Sequence, residues 1–259
     1  MSIPHFFQTF TVRMGELNRE GVVAVPTLCG YLQDIATDHA ASLGFGLQDL
    51  IAMNRTWMLS RLTLETTARL QRGDTLTLET WPQGVRRNLI AVRDFIGRDK
   101  DGNVILMATS EWLFVDTQTK RIVRVPDYFV TMTNNFQRGA SLLTCDAPEH
   151  LLRKSGDLRH VDSEAWQAAT TETITIRHSD IDVNRHVNNT RYADWLLEPL
   201  IDTKGCMQPA RLDILYKAAA TDADTIRSSV SAEENGIIRH RLTRVGDNAT
   251  LVVATTHWQ

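Results

Sequence analysis

Hydrophobic and polar positions alternate along two stretches of this chain with the two-residue period of half-buried strands. From Gly73, GDTLTLETW alternates, and VRRNLIAVRDFIGRDKDGNVILMATSEWLFV continues as a hairpin turning at Lys100-Asp101-Gly102-Asn103. Near the C-terminus the same grammar returns in ADTIRSSVSAEENGIIRHRLTRVGDNATLVVATTHW, with turns at Glu234-Asn235-Gly236 and Gly246-Asp247-Asn248. Ala108-Thr109-Ser110-Glu111-Trp112 even parallels Ala254-Thr255-Thr256-His257-Trp258.

One helical segment precedes each strand set. Leu28, Leu32, Ile35 and Ala36 recur at helical spacing within Thr27 to Ser42, and Tyr192, Trp195 and Leu196 do so within Asn188 to Ile201. Each half therefore reads strand, helix, then several antiparallel strands. A helix wrapped by a curved antiparallel sheet is the simplest way to bury both apolar faces. The predicted fold is α+β, two tandem hotdog domains produced by duplication. The expected boundaries are 1–128 for the first domain, 129–170 for a polar, turn-rich linker with a short helix around Ala147 to Leu152, and 171–259 for the second. The first-half helix, aligned through Tyr31 and Tyr192, puts Gly21, Val23 and Val25 opposite Asp182, Asn184 and His186.

Length agrees with two cores, since 259 residues suit two domains of roughly 120 each. Hydrophobic residues at 42% and charged residues at 23% are ordinary for a globular chain and disfavour disorder or membrane embedding. No run long enough to span a bilayer and no export signal stands out, so a membrane is not expected as a partner. Cys29, Cys145 and Cys206 are odd in number and widely separated, which suggests neither a disulfide framework nor a metal site, and fits a reducing, cytoplasmic setting. A formal net charge of −3 without a basic stripe disfavours nucleic acid. No cofactor motif is visible.

The densest chemistry lies in Arg177 to Tyr192, between a strand and a helix. Asp182, Asn184, His186, Asn188 and Asn189 make it too polar for a core, and loops at the ends of regular elements are where reactive groups are commonly held. Asn188 or Asn189 suits the helix N-cap, and backbone N–H groups near them offer an oxyanion site.

SDIDVNRHVNNTRYADWLLE resembles the motif of the acyl-acyl-carrier-protein thioesterases and, more broadly, the DxDxxxHVNNxxY pattern of hotdog thioesterases. In the first half, Thr56 to Leu62 and Arg69 to Thr75 resemble that family's strand after the helix and its following turn, so the resemblance covers nearly the whole chain. It implies a thioester hydrolase acting on fatty acyl thioesters of acyl carrier protein, or of coenzyme A, with Asp182, Asn184 and His186 as its catalytic set. A carboxylate can serve as general base or as nucleophile, an amide can hold water or the carbonyl, and an imidazole can shuttle a proton.

By the same resemblance the acyl chain enters a tunnel in the first domain, with Met53, Trp57, Met58 and Leu59 as candidate lining. An acidic carrier would meet a local basic patch, for which Arg86 with Arg87 and Arg185 with Arg191 are candidates. One departure stands out. The Glu that many relatives carry before the last strands falls among Ala218, Ala219 and Ala220, so either Asp182, Asn184 and His186 suffice, Glu16, Glu20 or Asp222 substitutes, or catalysis is weak or lost. A non-catalytic acyl-thioester-binding protein is therefore a competing reading. A hotdog dehydratase or hydratase is another, disfavoured because the second helix lacks the usual His and acid. Both a monomer and a homodimer fit, since tandem domains can complete a two-domain unit within one chain.

Overall fold

The computed structural model describes residues 5–140, 158, 161, 167–204 and 208–258, with backbone alone at 134–140 and 202. The chain forms two compact units that exchange segments in sequence. One unit comprises 1–12, 31–62 and 73–153, and the other 13–30, 63–72 and 154–259.

In the first unit β1 (Phe6–Thr11), β3 (Thr75–Arg86), β4 (Ile90–Arg98), β5 (Val104–Asp116) and the early part of β2 (Arg55–Thr66) lie in the order β1-β3-β4-β5-β2. Pairings β1–β3, β3–β4 and β4–β5 are antiparallel. In β3 alternate residues are buried, as its HPHP sequence requires, so Leu76 and Leu78 are fully enclosed while Thr77 and Glu79 are not. Helix α1 (Val25–Ser42) lies against this sheet through its later turns: Tyr31 stacks on Phe10 at 4.4 Å and His39 on Phe6 at 5.2 Å.

The short α2 (Leu47–Ala52) and α3 (Asp127–Ala140) close one end. There Phe45, Leu50, Ala91, Phe114, Val125 and Phe129 form a cluster joined by Met53 and Trp57. Helix α3 begins where a linker was expected. Thr133, within the stretch expected as a turn-rich linker, is buried inside the helix with its hydroxyl on the Val130 carbonyl at 3.0 Å. Phe129 drives this by packing edge-on against Phe45 at 4.8 Å, a tertiary contact that overrides local polarity. The helix expected near Ala147 to Leu152, together with Cys145 and Cys206, falls outside the described residues.

In the second unit β6 (Thr170–Thr175), β8 (Thr225–Val230), β9 (Ile237–Arg244), β10 (Thr250–His257) and β7 (Arg211–Tyr216) lie in the order β6-β8-β9-β10-β7, all pairs antiparallel. Position by position this repeats the order of the first unit. Helix α4 (Asn189–Leu197) packs on the sheet, with the Ser228 hydroxyl donating to the Trp195 carbonyl at 2.7 Å. It is shorter than expected, because Pro199 cannot supply an amide to continue the α pattern. The chain passes into a 3-10 turn at Glu198–Leu200 and then a short α5 (Ile201–Lys204). The parallel pentapeptides have parallel roles: the Trp112 indole donates to Ser110 at 2.7 Å, and the Trp258 indole donates to Thr256 at 2.8 Å. Among the described residues no helix is long and apolar enough to cross a membrane.

Each sheet encloses polar groups. In the second unit His240 is fully buried, with Nδ1 at 2.8 Å from the Leu196 carbonyl and Nε2 at 2.7 Å from the Thr256 hydroxyl. Burial lowers its pKa from 6.5 to about 4. In the first unit Arg93 donates to His39 Nδ1 at 2.9 Å and to Thr80 at 3.2 Å, and burial beside Arg93 lowers His39 to about 3. Both histidines are neutral in the folded chain. As pH falls below 6.5, the unfolded chain binds protons at these positions that the folded chain refuses, so stability is lost. For His240 the slope is about 1.4 kcal/mol per pH unit down to its folded pKa. Asp94, raised to about 6 by burial, opposes this below pH 6 by protonating first in the folded state. Replacing His240 by Asn is expected to flatten the acid limb of stability by about one proton. Urea unfolding at a series of pH values measures the slope, and an unchanged slope refutes the assignment.

Candidate active site

The loop before α4 is built from side chains that cap backbone amides. The Arg177 amide donates to Asp180 Oδ2 at 2.8 Å, which closes a 3-10 turn over His178–Asp180. The Asp180 carbonyl then accepts the Asn188 amide at 2.8 Å, and its Oδ1 pairs with Arg191 Nε at 3.3 Å. Asp180 is 7% exposed and fully engaged, a structural carboxylate.

Asp182 heads the next turn. Its Oδ1 accepts the Asn184 amide at 2.8 Å and the His186 amide at 3.4 Å, while its own amide donates to the His186 carbonyl at 2.8 Å. This Asx turn forces Arg185 into the left-handed region at φ 61°. Asn184 Nδ2 reaches Asp182 Oδ2 at 3.5 Å, a long contact that leaves Oδ2 the less engaged oxygen. Asp182 and His186 are half-buried and Asn184 is exposed at the tip beside Val183. The structure thus joins Asp182 to Asn184 through side chains and to His186 through backbone. Among the described residues the His186 imidazole has no hydrogen-bond partner.

Asn188 is the N-cap of α4, with Oδ1 accepting the Thr190 amide at 3.0 Å and its hydroxyl at 2.9 Å. That cap occupies one helix-terminal N–H. The Asn189 amide opens the helix next to it, and the Asn189 carbonyl accepts the Tyr216 hydroxyl at 3.2 Å.

The same loop occurs a second time, bond for bond, before α1. Arg13 donates to Glu16 Oε2, Ala24 donates to the Glu16 carbonyl, and Gly21 takes φ 74°. Asn18 Oδ1 accepts the Glu20 amide at 3.0 Å and the Val22 amide at 3.2 Å, and its amide donates to the Val22 carbonyl at 2.8 Å. Val23 donates to the Leu70 carbonyl as Val187 does to that of Ala220, both at an N···O distance near 2.9 Å. Asn18, Glu20 and Val22 therefore stand where Asp182, Asn184 and His186 do. This corrects the register read from the sequence, which placed Gly21, Val23 and Val25 there. Aligning Tyr31 with Tyr192 misled because Leu28, not Tyr31, fills the Tyr192 position.

The alanine stretch in which the resemblance puts a Glu lies beside Arg244. The Ala219 carbonyl accepts Arg244 Nη2 at 3.0 Å, and Arg244 also pairs with Asp224 at 3.1 Å. Of the suggested substitutes, Glu16 caps Arg13, Glu20 bonds Arg19 at 3.2 Å, and Asp222 is exposed. None hydrogen-bonds to Asp182, Asn184 or His186.

In the first unit, Trp57 sits 4.6 Å from Phe114 and 5.7 Å from Phe129, and Met53 packs on the same cluster. Leu59 shares the Trp57 face of the strand by period and is half-buried, whereas Met58 alternates to the other face and is 41% exposed. Of the basic candidates, Arg86 pairs with Glu111 and Arg191 with Asp180, while Arg87 and Arg185 are exposed in left-handed turns.

Two halves with one strand order, each a helix against an antiparallel sheet, define a double hotdog. Within that class, the description of the acyl-ACP thioesterase N-terminal domain matches residues 4–133 and that of the C-terminal domain matches residues 163–259, so the chain belongs to the acyl-ACP thioesterase family. It is 24% identical over 98% of its length to a palmitoyl-acyl carrier protein thioesterase of Gossypium hirsutum, and 26% identical over 97% to oleoyl-acyl carrier protein thioesterase 1 of Arabidopsis thaliana. The chain spans 63% of the first of these and 75% of the second. In fold it is similar to the crystal structure of an acyl-ACP thioesterase from Bacteroides thetaiotaomicron, with TM-score 0.79, 22% identity and 98% of each chain covered. It is also similar to the 12:0-ACP thioesterase of Umbellularia californica, with TM-score 0.77, 23% identity, and 98% and 97% covered.

The first copy shows that an asparagine closes this turn as well as an aspartate. Asp182→Asn is therefore expected to leave thermal stability essentially unchanged, while Asp182→Ala, which abandons two amides, costs about 1 kcal/mol. Paired thermal melts check this, and equal destabilisation by both variants would contradict the turn assignment.

Proposed function

We propose that this chain hydrolyses fatty acyl-acyl-carrier-protein thioesters to free fatty acid and carrier thiol, with Asp182, Asn184 and His186 as its catalytic set. The observation that carries the reading is the duplicated loop. Its backbone is complete in both copies, so an asparagine at its head suffices for folding, yet only the second copy combines a carboxylate, an amide and an imidazole. Membership of the thioesterase family supports the same conclusion.

Hydrolysis requires a water oxygen to bond to the thioester carbonyl carbon, the carbon–sulfur bond to break, and protons to move from water to the departing thiolate. Asp182 Oδ2, the less engaged oxygen, accepts the water proton, and His186 returns a proton to sulfur. Asn184 holds the water or the carbonyl oxygen through its amide. Alternatively Asp182 attacks directly and an anhydride forms, which water then cleaves. A single turnover in oxygen-18 water tests the second route, because label in the Asp182 carboxylate arises only when water attacks the Asp182 carbon of an anhydride. The N-terminal domain receives the acyl chain, with Met53, Trp57 and Leu59 on its apolar side. Met58 serves only if its exposed face is covered by the chain.

A second reading has its own observation. By resemblance, Ala218 to Ala220 stand where a Glu is expected, and on this second reading the chain binds acyl thioesters without turning them over. Thiol release from acyl carrier protein and from coenzyme A thioesters, over a panel of chain lengths, decides between these readings. The unmodified protein is expected to release thiol, faster from carrier protein than from coenzyme A. Asp182→Asn is expected to lower that rate by at least about 100-fold without loss of fold. Binding without release would establish the second reading instead.

A further inference from the structure

Val187, next to His186, donates its amide to the Ala220 carbonyl at 2.9 Å, and the Ala220 amide in turn donates to the Tyr192 hydroxyl at 2.8 Å. One residue, Ala220, therefore links the proposed reactive loop to a tyrosine that is 2% exposed. The Tyr192 oxygen is held as an acceptor, which leaves its own proton to be donated elsewhere. Among the described residues no group accepts it. An enclosed O–H without an acceptor is costly, and such groups in native proteins are commonly satisfied by water or ligand.

The first copy of the loop supplies a control. Val23 donates to the Leu70 carbonyl just as Val187 does to that of Ala220, but Leu28 fills the Tyr192 position, equally buried at 2%. The loop, its pinning bond and the packing under it therefore form without a hydroxyl. What distinguishes the second copy is a polar donor under the one loop that carries Asp182. The Asp182 and Asp224 carboxylates and the Arg244 guanidinium all act on this phenol. Burial, foremost, and the carboxylates push it up to about 12, so it stays protonated at any working pH.

We infer that Tyr192 is a further catalytic residue: its hydroxyl, oriented by the Ala220 amide, donates to the oxygen of the water that Asp182 deprotonates. That water then has one lone pair fixed by Tyr192, one hydrogen directed at Asp182 Oδ2, and its remaining lone pair free for the carbonyl carbon. Tyr192 keeps its proton throughout, so the balance of hydrolysis is unchanged. The proposal rests on the thioesterase reading above.

Tyr192→Phe tests it, since the ring and its packing are kept and only the oxygen is lost. With acyl carrier protein thioesters, kcat is expected to fall about 10- to 100-fold with KM changed less than about 2-fold. Hydroxylamine, supplied as a competing nucleophile with the enzyme-free rate subtracted, gives a readout that a merely structural role would not move. The ratio of hydroxamate to free acid is expected to rise in Tyr192→Phe, because the water alone has lost its holder. Unchanged kcat, or equal slowing of both products alongside a lowered melting temperature, overturns the inference while leaving the thioesterase reading intact. Failure of the unmodified protein to release any thiol overturns both.

Discussion

The proposed reactive loop depends on one side-chain oxygen accepting two backbone amides. Asp182 Oδ1 takes the amides of Asn184 and His186, and without that closure these two amides at the loop tip would have only water as a partner. The closure is local and cheap, and it fixes the direction in which Asn184 and His186 leave the chain. Everything proposed about chemistry depends on it, because acid–base groups act only when held within a fraction of an ångström of a productive position. The isolated bridge between Ile181 and Val187 and the bond from Val187 to Ala220 then fasten the turn to the body of its unit.

Duplication allows two functions of the same residue to be separated. Aspartate at the head of the loop serves both as a turn-former and as a carboxylate. Asparagine at position 18 performs the first function without the second. The buried histidines show a similar contrast between the halves. His240 finds a partner for each ring nitrogen, whereas His39 has Arg93 on one side and a buried, unpaired Nε2 on the other.

Much of the architecture was legible in the sequence because sheets of this kind advertise themselves by period. The alternation in GDTLTLETW, the glycine and asparagine turns at 102, 236 and 248, and the repeated pentapeptide ending in Trp all have direct structural counterparts. Helix α3 was not legible. Its polar run gives a weak local signal, and Phe129 finds its partners only in the folded cluster. The register between the two loops was missed because a shared Tyr is a poorer anchor than the shared backbone pattern, which no side-chain identity reveals. The candidate loop itself was legible from its density of polar groups. The Tyr192 hydroxyl was not, since its significance arises from the Ala220 amide 28 residues further along.

The first loop differs from the second in side chains alone, and its backbone already has the required shape, with glycine rather than arginine at the left-handed position. An aspartate at position 18 would keep the side-chain oxygen that closes the turn, while an imidazole at position 22 would enter a place where Val22 is buried. The chain therefore carries a second, pre-shaped scaffold on which a protein engineer can place the same three side chains, with repacking needed only around Val22.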